Sequence, residues 1–364
     1  MRAAESQDVS VEFDSAQQSA WHATMEQFSD ASIFQTWDYV APKYGSNHLT
    51  NFVARKHGDI VAAALGGIVR IPRLPVGIAH FPWGPMWRVR GAELDLDGLR
   101  QALRAAFRQY AVKRGLLVRL RSHELHAGSE TDAEHLISAV FRNEGFEPAQ
   151  EPHYRTVRLD LSRPLEALRA DLRPSWRRHL LAAEKKGFSV IRGTGPELFE
   201  MFERTYHAMR SRKQLTGYQP DIRMYRAAQQ NLPAPLRPVI MICQDAGEPI
   251  AATVVSAMGD SGRYILGATS DRAIRMNLRG SYLLHWETIK WLKAEGFHWY
   301  DLRGYNPKSY PGVSRFKTGF NGVIVSYIEF VACRNWLSLA AVGWGEALVR
   351  LARATRRALT GRVK

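Results

Sequence analysis

The sequence predicts an α/β (α+β) chain of two tandem lobes, each a mixed sheet flanked by helices. Three observations carry that expectation. The 364 residues are too many for one ordinary domain and comfortable for two. A run of three strands, one helix and one strand occurs twice along the chain. Both copies stop their helix at a glycine and pass straight into an apolar strand.

The first copy opens with NFVARKHGDIVAAA at residues 51 to 64, and the second with VIMICQDAGEPIAAT at residues 239 to 253. Each reads as strand, polar turn with glycine, strand, which is the pattern of a hairpin. The turns fall at His57 to Asp59 and at Asp245 to Gly247. A third strand follows near Gly77 to Phe81 and near Arg263 to Gly267. Next, Leu99, Leu103, Phe107, Tyr110 and Ala111 fall on one face of a helix, as do Tyr282, Trp286, Ile289 and Leu292. Gly115 and Gly296 stop these helices, and LLVRLR from Leu116 and FHWYDLR from Phe297 supply the last strands. The first lobe spans residues 1–150, completed by a segment after 325, and the second spans 151–330. The second opens with helices at Leu165 to Leu172 and from Pro174 to a stop at Gly187, then a third at Leu198 to Arg212. Residues 331–364 form a basic amphipathic C-terminal helix.

Composition narrows the function. The formal net charge of +15 points to an anionic partner, although arginine-rich composition alone gives the same number. Two cysteines, Cys243 and Cys333, rule out a disulfide framework and a thiolate zinc site, and the histidines lack metal-ligand spacing, so no metal is expected. The N-terminus lacks the basic and apolar regions of a secretory signal, and no apolar run reaches about 18 residues, the minimum for a membrane span. The expected compartment is the cytoplasm. The tail 335–364, with Arg350, Arg353, Arg356 and Arg357, offers a peripheral contact to the inner membrane face or docks on the protein. Neither a GxxxxGK[ST] phosphate loop nor a GxSxG nucleophile elbow occurs.

The repeated strand and helix order is that of the acetyltransferase (GNAT) fold. In that fold [QR]-x-x-G-x-[GA] cradles a pyrophosphate at a helix N-terminus. Here Arg275, Arg279 and Gly280 stand at the matching place, RMNLRG, with Leu278 where the first glycine belongs. The first lobe has no such loop. Four further segments, FQTWDYVAPK from Phe34, PWGPMW from Pro82, RPSWRRHLLAAEKKGF from Arg173, and YDLRG with a loop carrying FKTGF from Tyr300 to Phe320, stand in the order of the FemABX family. The chain resembles that family of peptidoglycan bridge aminoacyltransferases across about Phe34 to Phe330.

The resemblance implies a transferase of cell wall biogenesis that carries an aminoacyl or acyl group to an amine. It implies no tightly bound cofactor, with aminoacyl-tRNA or acyl-CoA as co-substrate. The acceptor would be anionic, such as a phosphorylated sugar-peptide or lipid-linked precursor. By the same resemblance Lys317 stabilises the oxyanion with Phe316 beside it, and Lys43 and Arg212 grip acceptor phosphate. Tyr264 would face the acceptor cleft. Thr216 stands where the family has a tyrosine, with Tyr218 close by. Asp301 either takes a proton from the amine or serves the strand end. Two other classes compete: a nucleic-acid-binding protein on a transferase fold, and a membrane-surface scaffold.

Overall fold

The computed structural model describes residues 8–70, 76–126, 132–149, 154–213 and 221–334. The C-terminal helix expected at 335–364 lies outside the described residues. The first half runs β1 (Val9–Phe13), α1 (Gln18–Glu26), α2 (Trp37–Tyr44), β2 (Leu49–Lys56), β3 (Asp59–Arg70), β4 (Gly77–Phe81), α3 (Leu96–Ala106), β5 (Leu117–His126), α4 (Asp132–Asn143) and β6 (Glu147–Pro148). The second half runs β7 (Tyr154–Asp160), α5 (Leu165–Asp171), α6 (Pro174–Glu184), β8 (Ser189–Gly193), α7 (Pro196–Lys213), α8 (Ile222–Asn231), β9 (Val239–Asp245), β10 (Glu248–Met258), β11 (Ser261–Thr269), α9 (Asp271–Arg275), α10 (Gly280–Ala294), β12 (Trp299–Asp301), α11 (Pro311–Thr318) and β13 (Val323–Ala332).

The repeat expected from the sequence is present. β2 and β3 form an antiparallel hairpin, β3 pairs β4, and β4 lies parallel to β5 after the crossover through α3. β9, β10, β11, α10 and β12 repeat that order with the same senses. Gly115 and Gly296 both adopt the left-handed conformation expected of helix stops, at φ 65° and 82°. Among the described residues the strands join into one sheet, in the order β1-β2-β3-β4-β5-β13-β7-β12-β11-β10-β9-β8 with β6 on β13. β13 is the seam, pairing antiparallel with β5 on one side and β7 on the other.

Three apolar cores follow from strand alternation. In β2 and β3, Phe52, Ala54, Ala62 and Ala64 face α3 with Leu99 and Leu103, while Val53, Ala63 and Leu65 face the opposite way. That opposite face merges with α7 and α8 of the second half, so Phe34, Tyr39 and Trp83 share a core with Phe202, Tyr206 and Tyr225. A third core packs α6 and α10 on the far face of the second half, around Trp176, Leu284, Ile289 and Tyr300.

Two segments differ from the sequence expectation. The helix through Ala111 continues beyond Ala106 as a π-helix over Phe107–Lys113, closed by Arg114 N–H donating to Gln109 O at 3.2 Å. Buried Tyr110, inside that widened segment, has its hydroxyl 2.9 Å from Thr50 Oγ1 and 3.2 Å from Asn51 O. The FKTGF segment is mostly helix α11 rather than loop, started by Pro311 at its first position and followed by Gly319.

The FQTW and PWGP elements interlock in the first half. Gln35 is fully buried and donates to Leu65 O (3.0 Å) and Pro82 O (2.6 Å), while its Oε1 accepts from Leu65 N (2.8 Å). A side chain on Gly84 would meet the Gln35 amide at 3.0 Å. Gln35→Ala strands these three backbone groups in an apolar interior. It should lower unfolding stability by about 2–5 kcal/mol, read as a lower urea midpoint. An unchanged midpoint would remove Gln35 from the account of the fold.

Candidate functional site

The register of β11 and β12 opens the sheet at one place. The strands are paired in parallel only from Ser261–Trp299 to Arg263–Asp301. β12 ends at Asp301, while β11 continues to Thr269 on its other partner, β10. Tyr264 is therefore the first residue of β11 with no strand on that side, and α11 packs Lys317 into the gap. The Lys317 ammonium lies over the Tyr264 ring, 5.6 Å from its centroid.

Lys317 is only 6% exposed. Its Nζ donates to the carbonyls of Arg303 and, at 2.9 Å, Gly304. Burial, reinforced by the nearby Arg303 charge and opposed by Asp301, brings its pKa down to about 8. Asp301 is buried and accepts from Thr156 Oγ1 and from Arg303 N–H (2.7 Å). Those bonds tie the strand end to the turn that carries the two carbonyls. Arg263, one strand over, is buried beside Asp301, and its Nη1 lies 3.4 Å from Ala31 O in the first half.

Aromatic side chains wall the gap. Phe316 packs on Tyr282 (5.1 Å), His285 (5.3 Å) and Trp176 (5.7 Å), with Phe320 beside them. His285 stacks edge-on to Tyr264 at 4.8 Å, and its Nδ1 is 2.8 Å from Tyr300 Oη. Burial, with Lys317 close by, holds the His285 pKa down at about 3, so the ring is neutral at physiological pH. Burial pushes the Tyr264 phenol up to about 12.

Tyr282 connects this wall to the α9–α10 junction, because it also packs on His179 at 4.9 Å. Burial and the charges of Arg279 and Arg178 lower the His179 pKa. Gly280 begins α10, where a Cβ would lie 2.7 Å from Ile250 Cδ1 and 3.2 Å from Cys243 Sγ. Arg279 is the N-cap residue of α10 and Arg275 ends α9, and Leu278 turns its side chain onto the apolar core. The three predicted donor-binding positions thus gather at one helix start, about one turn from the aromatic wall.

Arg212 reaches the same region from α7, but its guanidinium is committed to Asp271 and to Thr269 O (3.1 Å). Thr216 and Tyr218 lie outside the described residues.

Lys43 sits apart, in the first half. It is exposed, with its ammonium 4.9 Å from the Tyr44 ring centroid. Partial burial and Arg121 lower its pKa to about 8, against Glu329, a depression that solvent screens at so open a position. Sequence reasoning missed its neighbours. His80 Nδ1 bonds Tyr44 Oη at 2.8 Å, and Arg119 and Arg121 both pair with Glu329. Burial and the three cations Lys43, Arg121 and Arg119 hold the His80 pKa well below its ordinary value. Arg121 also lies over Trp83 and Tyr154, and Tyr154 Oη accepts from Gly304 N–H at 2.8 Å. A continuous line of contacts therefore runs from Lys43 to the turn that holds Lys317. Among the described residues no group of histidine, cysteine or carboxylate side chains is arranged to hold a metal, and no helix is long and apolar enough to cross a membrane.

This segment carries a known signature. Residues 239–333 match the FemAB family. The FemABX-like resemblance read from the sequence is borne out on the stretch from β9 through β13. The fold is similar to that of FemX, with a TM-score of 0.70 at 12% identity over 89% of this chain and 98% of the FemX chain. L-PGS from Bacillus licheniformis aligns with a TM-score of 0.53 at 13% identity, over 92% of this chain and 96% of that one. A conserved protein of unknown function from Bacteroides thetaiotaomicron VPI-5482 aligns at 0.60 and 12% identity, over 89% and 100%. By sequence, no curated protein matches.

A folded pKa of about 8 for Lys317 against 10.5 for an ordinary lysine has a defined sign. Between those values the unfolded chain binds more protons at this residue, so stability rises with pH, and the gain is lost as pH falls through 8. Denaturant midpoints measured from pH 7.5 to 9.5 should climb more steeply in the wild type than in Lys317→Met. Parallel curves would mean that Lys317 titrates as an exposed lysine.

Proposed function

We propose that the protein is an N-acyltransferase of FemABX-like, tandem GNAT type, with the acceptor amine in the cleft between the lobes. The observation that carries the reading is the Lys317 ammonium, buried on two carbonyls at the opening between β11 and β12. In acyl transfer a neutral amine attacks an ester or thioester carbonyl, forming an N–C bond. The carbonyl oxygen gains negative charge until the C–O or C–S bond breaks. The amine gives up one proton and the leaving oxygen or sulfur carries one away. A preorganised cation near that oxygen lowers the barrier. Lys317 supplies it while protonated, and Phe316, His285 and Tyr264 keep bulk water away from it.

The donor reading we favour is aminoacyl-tRNA. Leu278 replaces the first glycine of the GNAT loop, and Arg178 and Arg279, both close enough to His179 to lower its pKa, suit a polyphosphate backbone. A second reading, acyl-CoA, rests on the start of α10 at Gly280, where helix N–H groups favour phosphate. The acceptor is read as a phosphorylated sugar-peptide or lipid-linked peptidoglycan precursor, approached by Lys43 and Arg121. Cell wall biogenesis on the cytoplasmic side of the membrane follows as the setting.

Binding of aminoacyl-tRNA and acetyl-CoA, measured side by side at two salt concentrations, tests the donor. Saturable aminoacyl-tRNA binding that weakens in Arg279→Ala is expected, and tight acetyl-CoA binding with only nonspecific RNA affinity would replace it with the second reading. With the donor identified, Lys317→Met should reduce transfer about 10²–10³-fold while donor affinity stays within error. Full transfer by that variant would remove Lys317 from the chemistry.

A further inference from the structure

The turn that holds Lys317 is also the point where the second lobe grips the first, and one residue does both. Arg303 has φ 51°, a left-handed conformation uncommon for a residue with a side chain. Asp301 fixes it from one side by accepting its N–H, and Tyr154 fixes the next residue by accepting from Gly304 N–H. With the chain turned this way, the carbonyls of 303 and 304 converge on the Lys317 ammonium. The Arg303 side chain leaves in another direction. Its guanidinium lies over the Phe34 ring, 4.5 Å from the centroid, and bonds the hydroxyls of Tyr225 and Tyr154. Phe34 belongs to the first lobe, where it packs on Tyr39 (5.0 Å) and Trp83 (6.0 Å). Tyr39 sits in α2, the helix that carries Lys43 in its last turn.

Among the described residues Arg303 has no carboxylate partner, and its Nε is buried without a hydrogen bond. A guanidinium held by an aromatic face and two phenols has a planar geometry that a lysine cannot reproduce. Burial opposes the charge, yet the phenol oxygens of Tyr154, Tyr225 and Tyr39 hold the Arg303 pKa above its ordinary value. A permanent cation therefore stands beside Lys317, and any shift of the Phe34 ring moves both that cation and the carbonyls that hold the ammonium.

We propose that Arg303 is the positioning residue of the site: it sets the placement of Lys317 according to its packing on Phe34, so that a change in the first-lobe packing around Phe34 is transmitted to the second-lobe ammonium. The catalytic meaning rests on the acyl-transfer reading, whereas the coupling stands on contacts alone. It requires Phe34 to act on Lys317 chiefly through Arg303, in preference to the longer path by way of Trp83 and Tyr154 to Gly304 N–H.

Competitive acetylation of the full chain across a pH series, with Lys317 followed by mass spectrometry, measures the placement of its amine without any substrate. Arg303→Gly keeps the left-handed backbone at no steric cost while deleting the guanidinium. It should move the Lys317 labelling midpoint upward, because a neighbouring cation is gone. Phe34→Leu should move it in the same direction by about half a pH unit or more in the wild-type background, and by a clearly smaller amount in Arg303→Gly. Arg303→Lys should recover only part of the wild-type midpoint. Equal effects of Phe34→Leu in both backgrounds, or none in either, would overturn the proposal. Tyr225→Phe, which removes one hydrogen bond without changing the core, repeats the test in case Phe34→Leu does not fold. If the wild type transfers with neither donor, the acyl-transfer reading fails while the labelling cycle still decides the coupling.

Discussion

β13 fixes the geometry on which the site depends. Its ten residues hydrogen-bond to β5 of the first lobe and β7 of the second, so the two repeats are parts of one sheet and not beads on a linker. Interfaces between ordinary domains slide because few main-chain bonds cross them. Here the crossing is a strand ladder, and a shared apolar core backs it on one face. Lys43 and Lys317 belong to different repeats, yet the sheet sets their separation. The chain that arrives at β13 comes straight from α11, so the strand that joins the lobes also anchors the helix that carries Lys317.

Around that seam the protein buries charge in a way that folding alone does not favour. Arg263, Asp301 and Lys317 are each no more than 6% exposed, and removing charged groups from water is costly unless every partner is in place. Backbone carbonyls, a threonine hydroxyl and the Asp301 carboxylate, which acts on both Arg263 and Lys317, offset those costs. Two cations and a carboxylate are thereby held away from water at the opening of the sheet. Local conflict of that kind, set in a well-packed interior, is characteristic of sites kept for chemistry. The neutral His285 fits the same pattern, contributing shape and dryness and no charge.

The repeat was legible because its signals are local. Glycine in two hairpin turns, apolar alternation in β2, β3, β9 and β10, and helix stops at Gly115 and Gly296 each act within a few residues, and each occurs in the structure. The site was only half legible. Lys317, Phe316 and Tyr264 could be named from the resemblance, and the structure brings Lys317 over Tyr264, but the burial of Lys317 depends on a short helix whose Pro311–Gly312 start reads as loop. Arg303 gave no signal of its own, since a left-handed arginine before a glycine resembles any strand end. The cations around His80 come from α2 and β5, and no spacing along the chain links them. Arg212 stands where the resemblance placed it, but its ion pair with Asp271 is a tertiary fact that the sequence does not display.

Among the described residues this wide sheet is open at both ends, and its outermost strands are short. β1 and β8 are five residues each, and each presents an outward charged side chain, Glu12 in one and Arg192 in the other. Unpaired strand edges invite other chains to add on, and a brief edge bearing a charge is a poor template for that. Among the described residues, the sheet that the two repeats share thus ends in edges poorly suited to strand addition by another copy.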